Sequence, residues 1–150
     1  MKVKFKFGIS TYSGTVDEMT FGSYRKHSVC IGRKFVFPRL TANNTLVGSV
    51  MKNLAKVYGD CSAGFKADLK VYAYRNTANV PAGKIAPNAY AIFVRLMYNF
   101  AEADSEHIDL ATITHSDLQT VGSDIATVAD AVANGYLANV ANANMLTATM

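Results

Sequence analysis

The chain is poor in the residues that build reactive or cross-linked sites. Among its 150 residues are two cysteines, Cys30 and Cys61. A domain of this length can bury a proper core without disulfides or a metal, so both thiols are expected reduced, as in a reducing compartment. There are three histidines, His27, His107 and His115. The pieces they offer a metal are His27-x-x-Cys30, His107-x-Asp109 and His115-x-Asp117, and none has the spacing of a three- or four-ligand site. A loop histidine beside a half-buried thiol, helix capping and solvated loop charge account for them more simply. The chain has no G-x-S-x-G, no P-loop and no G-x-G-x-x-G, so acyl transfer, nucleotide hydrolysis and dinucleotide chemistry lack their usual apparatus. We therefore expect no catalytic residue, no metal and no cofactor, and an enzyme is the least favoured class. No stretch approaches the ~20 apolar residues of a membrane span. The opening, MKVKFKFGISTYSG, lacks the continuous apolar run of a secretory signal. Neither a membrane partner nor secretion by a signal peptide is expected.

What is present is an apolar chain with segregated charge. Half the residues are hydrophobic, which argues for one globular domain rather than disorder. Residues 1–75 carry 13 Lys/Arg against 4 Asp/Glu, a net +9, and residues 76–150 carry 2 against 7, a net −5. Halves of opposite sign suit a basic face for nucleic acid, or complementary surfaces through which copies of the chain meet. Solvated charge on halves that pack together is the plainer alternative.

Periodicity divides the chain in two. Lys2, Lys4 and Lys6 alternate with Val3, Phe5 and Phe7, the mark of a strand with one wet and one dry face that ends at Gly8. Ser13-Gly14 reads as a turn. Met19–Tyr24 and Val29–Phe37 read as a hairpin closed by Arg25–Ser28, with Val29, Ile31, Phe35 and Phe37 on one face apart from Arg33. Gly22 and Gly32 suggest a bulge or a close backbone approach. Pro38 ends the ladder, and Thr41, Asn43 or Asn44 can cap the helix whose stripe is Leu46, Val47, Val50, Met51, Leu54, Val57 and Tyr58. A second helix begins at Asp60 or Ser62. After a loop, Asn88–Ala103 is apolar nearly all round and therefore central. Thr114 with Asp117 resembles a capping box, followed by a seam of Leu118, Val121, Ile125, Val128 and Val132 in a last helix ended by Gly135. Tyr136–Met150 has no clear period and reads as an arm on a neighbour or a frayed end. The fold class expected is α+β, with about three antiparallel N-terminal strands (1–40), about four packed helices (41–135) and a tail (136–150).

Basic residues interleaved with aromatics point to nucleic acid, with Lys2, Lys4, Lys6, Arg25, Lys26, Arg33, Lys34 and Arg39 as candidate phosphate contacts. Phe35 and Phe37 read as core packing rather than a stacking platform. Candidate self-association residues are Val3, Phe5 and Phe7 on the first strand and Tyr136 and Leu137 at the start of the tail.

The run GTVDEMTFGSYRKHSVCIGRKFVFPRLTANNTLVGSVMKNL resembles the opening of uncharacterised bacterial and bacteriophage open reading frames. In these a basic, glycine-containing hairpin leads through a Pro/Thr linker into a helix beginning Thr-x-x-Asn or Thr-x-x-Gln. The matching residues here are Gly14, Gly22, Arg33, Pro38, Thr41 and Asn44. The resemblance implies a non-catalytic structural or assembly protein, phage-encoded, found in a virion or the cytoplasm as a homo-oligomer or larger assembly. A basic nucleic-acid-binding protein is the alternative, and a small enzyme comes third.

Overall fold

Period-two alternation gives way to helical period just after the hairpin, and the chain divides there into two units, Met1–Leu40 and Thr41–Met150. The computed structural model describes residues 1–5, 8–24, 29–37, 39–104 and 108–150. The architecture is α+β: an N-terminal antiparallel sheet followed by helices.

The first unit has four strands, β1 (Lys2–Val3), β2 (Gly14–Val16), β3 (Met19–Tyr24) and β4 (Val29–Lys34), in the order β1-β4-β3-β2 with every pairing antiparallel. β2 was not expected, because Ser13-Gly14 reads as a turn. The chain instead turns at Asp17-Glu18, where Asp17 takes a positive φ of 52° that Asp tolerates better than most side chains. Gly14, Thr15 and Val16 then pair with Phe21, Thr20 and Met19.

Register assigns the faces, because directly opposed residues point the same way. One face carries Val3, Ser23 and Cys30, then Phe21 and Gly32, then Met19 and Val16. The other carries Lys2, Gly22 and Ile31, then Thr15, Thr20 and Arg33. Gly32 sits in regular register, without the expected bulge or backbone approach, and is crowded by side chains instead: a Cβ there would stand 2.9 Å from Val3 Cγ2 and 3.2 Å from the Phe21 ring. The alternation expected of Val29, Ile31, Phe35 and Phe37 is correct in parity but wrong in burial. The closely packed row is that of Cys30 and Gly32, whereas Phe35 and Phe37 are exposed. Arg33 lies between Ile31 and Phe35 in the same row, and an unpaired guanidinium cannot be buried cheaply, so the row opens to solvent.

The second unit is helical. α1 (Ala42–Asp60) is capped by the Thr41 side chain, α2 (Ala63–Arg75) by Ser62 and α3 (Ala89–Ala103) by Asn88, each accepting a bond from an otherwise orphaned backbone N–H. The stripe of α1 is buried only from Val50 onward; Leu46 and Val47 face solvent. α3 is central as expected, with Ile92, Phe93, Leu96, Met97 and Phe100 buried against Leu54, Val57, Phe65, Leu69 and Tyr72.

The single last helix is not observed. Its span divides into α4 (His115–Val121), a 3-10 turn at Ser123–Ile125 and α5 (Val128–Ala133), with Val121 exposed. The Thr114–Asp117 capping box forms, but Gly122 ends α4 where a Cβ would run into the Leu118 carbonyl oxygen. Thr127 then caps α5 by accepting from the Asp130 N–H. Repeated apolar spacing survives the breaks because Leu118, Ile125 and Val128 each reach the same core.

The tail corrects the sequence reading most. Leu137, Val140, Ala143 and Leu146 are buried in the helical unit, and side chains hold the backbone between them. Tyr72 Oη donates to the Ala138 carbonyl at 2.7 Å, Asn79 Nδ2 to Asn139 at 3.1 Å and Arg75 to Asn142 at 2.8 Å. The Ala148 N–H donates to Asp68 at 3.0 Å, and Asn99 Nδ2 donates to the Tyr136 carbonyl at 2.6 Å. A segment without helical or strand period is thus ordered by bonds to its backbone, which leave no pattern in its own side chains.

Candidate interaction surfaces

Net charge differs between the units: residues 1–40 carry eight Lys and Arg against two Asp and Glu, a net +6, and residues 41–150 carry seven against nine, a net −2. Lys2 and Arg33 stand on one face of the sheet, at register positions flanking Ile31, and Lys4 is exposed two residues on. Lys34 points to the opposite face, where it pairs with Glu18 at 3.6 Å. Both of those side chains are largely in water, so the pair contributes roughly 0–1 kcal/mol. Arg39 is exposed in the stretch after the sheet. Lys6, Arg25, Lys26 and Phe7 lie outside the described residues, as do His27, Pro38 and His107.

Among the described residues Lys34 is thus divided from the expected basic face of Lys2 and Arg33, which has aromatics beside it. Phe35 continues the ladder by donating its N–H to the Glu18 carbonyl at 2.7 Å. The rings of Phe35 and Phe37 meet edge to face with centroids 5.9 Å apart. Arg33, Phe35 and Phe37, each two residues from the next, thus form a strip with its cation at one end.

The candidate self-association residues separate into two groups. Val3 and Phe5 are half-buried, and the Phe5 ring lies 6.2 Å from Phe21. With Ile9, Tyr12 and Val16, Phe5 and Phe21 line an open apolar cleft of about 280 Å³. Tyr136 and Leu137 belong elsewhere: the Tyr136 ring packs 5.7 Å from Phe100, and Leu137 is buried. Their apolar surface is already used within the chain.

Among the described residues no three His, Cys, Asp or Glu converge where they could hold a metal ion. His115 Nε2 is buried with no hydrogen-bond partner, beside a cleft of about 230 Å³ that Gln119, Ser123 and Met150 also line. The thiols are free and buried. Burial pushes the Cys61 thiol up to about 11, and its S–H donates to the Val57 carbonyl at 3.2 Å. A thiol so held is a poor nucleophile, because the thiolate is the reactive form. Asp117 accepts from both the Thr114 hydroxyl and its N–H, and those bonds hold its carboxyl below the usual range. Its role in the His115-x-Asp117 pair is capping.

A second cleft, of about 310 Å³, opens between the loop after α3 and α4. Ile108, Ile113 and Val121 form its apolar lining, and Asp109 and Asp117 stand at it. Asp109 accepts from the Ala111 N–H and the Thr112 hydroxyl. Both carboxylates are thus bonded to neutral donors, and neither is in a salt bridge among the described residues. The sequence offers no sign of this cleft, since its residues fall on either side of a helix start: its carboxylates read as a cap and loop charge, and Val121 as part of a core seam.

Compared with protein-family models, with curated proteins and with solved structures, the chain matches none.

Proposed function

We propose that the protein is a non-enzymatic structural subunit that associates with copies of itself, and that the assembly it builds is a virion or comparable particle. The observation that carries the reading is the amount of large apolar surface the small first unit leaves in water: Phe35 is 52 % exposed, Phe37 82 % and Leu40 86 %. Ile9, Val16 and Val36 add to it. The touching rings of Phe35 and Phe37 form an exposed apolar patch, and such a patch marks an interaction site. The aliphatic members are of no use for stacking on bases, which favours a protein partner. Opposite net charge on the two units suits contact between copies. The virion assignment rests on the likeness of residues 14–54 to phage reading frames.

A specific observation keeps nucleic acid as the second reading: Arg33, Phe35 and Phe37 share one strip, the combination that single-strand binders use for phosphate contact and stacking. Salt separates the two. Apolar association persists at ~0.5 M salt, where exposed charges are screened beyond a few ångströms, whereas nucleic-acid binding falls steeply through counterion release. Sedimentation at that salt should find an oligomer, and Phe35→Ser with Phe37→Ser should shift it toward monomer. A protein that is monomeric at every salt, and that retains single-stranded DNA or RNA only at low salt, would replace the first reading with the second.

A further inference from the structure

We infer that the cleft of Ile108, Ile113 and Val121 is the acceptor for the Arg33–Phe37 strip of a second copy of this chain. The inference rests on the self-association reading and names the surfaces that meet. The strip and the cleft are complementary in kind: a guanidinium at one end and two exposed aromatic rings on one side, against two carboxylates beside an apolar floor. Arg33 makes no ion pair among the described residues, and the hydrogen bonds of Asp109 and Asp117 come from neutral groups. Charge is therefore available on both sides, with signs that attract.

Each partner also shows apolar surface that its own unit does not cover. Val121, the last residue of α4, is 55 % exposed beside the cleft it lines. The strip keeps extended backbone through Phe35, which still bonds to the hairpin, so it is presented with little further ordering to be lost on binding. Fixing Asp117 in its capping box and Asp109 in its loop likewise positions the carboxylates before any partner arrives.

A strip on one copy and a cleft on the next can meet reciprocally about a two-fold axis or repeat head to tail into rings and filaments.

The test uses the full chain and two readouts. In sedimentation, Arg33→Glu and Val121→Glu should each weaken self-association at least tenfold; circular dichroism should show the native helix content for Val121→Glu, since that side chain lies on the surface. For contact, Phe37→Cys and Val121→Cys proteins are mixed under mild oxidation, the native thiols being buried. A covalent dimer of one copy of each, absent when either variant is oxidised alone, is the expected result. An oligomer that survives both charge variants and gives no mixed dimer overturns the cleft assignment but leaves self-association standing. A Phe37→Cys homodimer in its place means that strip meets strip, which also overturns it. If one chain carrying both cysteines closes on itself at high dilution, the occupant is the chain's own strip and the second-copy assignment falls. A full-length protein that is monomeric throughout removes the self-association reading itself.

Discussion

Replacing Leu146 by alanine tests whether the C-terminal segment belongs to the core of the helical unit. The side chain is 3 % exposed and packs in the same cluster as Ile125 and Val128, while the Leu146 carbonyl accepts the Ala129 N–H at 3.0 Å. The backbone bond survives the substitution, so the loss is side-chain burial plus the cavity left behind, about 2–5 kcal/mol. For a domain whose whole stability is about 5–15 kcal/mol, that is a large fraction. With a urea slope of about 2 kcal/mol per molar, a 3 kcal/mol loss moves the midpoint down by about 1.5 M. Far-ultraviolet circular dichroism follows the helices and hence this unit. Met145, next in the chain but 69 % exposed, is the control, and its alanine variant should stay within about 0.5 kcal/mol of the parent. The shift should also be the same across a roughly hundredfold dilution, because the contacts are intramolecular. Equal midpoints for the two variants, or a Leu146→Ala shift that vanishes on dilution, would mean that the segment packs on a neighbour and that the core described above is wrong. Deleting residues 136–150 is a poor test of assembly for the same reason. It removes the burial of Leu137, Val140 and Leu146, at about 1.5–3 kcal/mol each, and should unfold the unit outright.

Two further outcomes follow from polar contacts. Asn53 Nδ2 donates to the carbonyls of Leu110 at 3.1 Å and Ile113 at 2.7 Å, so Asn53→Ala should cost about 1–3 kcal/mol in urea melts, and Asn53→Asp more, since it sets an acceptor against two acceptors. Thr114→Ala should cost about 1 kcal/mol at neutral pH. The Thr114 hydroxyl, then its N–H, depress the Asp117 carboxyl in the fold, so the part of the stabilisation carried by the hydroxyl's bond to the carboxylate is present above the ordinary value of 3.8 and is lost as pH falls through the lower folded value. Melts between neutral pH and strong acid should show the gap to the parent narrowing without closing, since the bond that hydroxyl accepts from the Asp117 N–H does not titrate, and a gap that widens in acid would refute the assignment.

Much of the fold was legible because it is written in local patterns. The Thr114–Asp117 box and the apolar core of α3 depend on residues within a turn or two of one another and are present as read, and the caps at Thr41 and Ser62 are each among the alternatives the local sequence offers. Parity in the hairpin was legible for the same reason. Failures began where the deciding contact is distant in sequence or lies in a backbone group. Whether Phe35 is buried depends on what covers its row, and alternation carries no information about that. The break at Gly122 was hidden because Leu118, Ile125 and Val128 reach one core by a path that happens to mimic helical spacing. The tail was hidden because what fixes it is its own carbonyls and N–H, held by the side chains of Tyr72, Arg75, Asn79, Asn99 and Asp68.

The candidate surfaces show the same limit from the other direction. Segregated charge was visible from counting residues, but the counts alone gave no reason to prefer a phosphate backbone over a second protein as the partner. What separates the two is which side chains lie beside the charge. Lys34 is turned toward Glu18 and away from the row of Arg33, so these two neighbouring cations lie on opposite faces of the sheet. A phosphate groove gains with every cation aligned along it, since each neutralised phosphate adds to counterion release. A protein contact needs only a few charges to set register around an apolar centre. Separating Lys34 from Arg33 while leaving Phe35, Phe37 and Leu40 in water suits the second arrangement better than the first, and this is why the exposed aromatics, read from sequence as core, support the proposed association between copies.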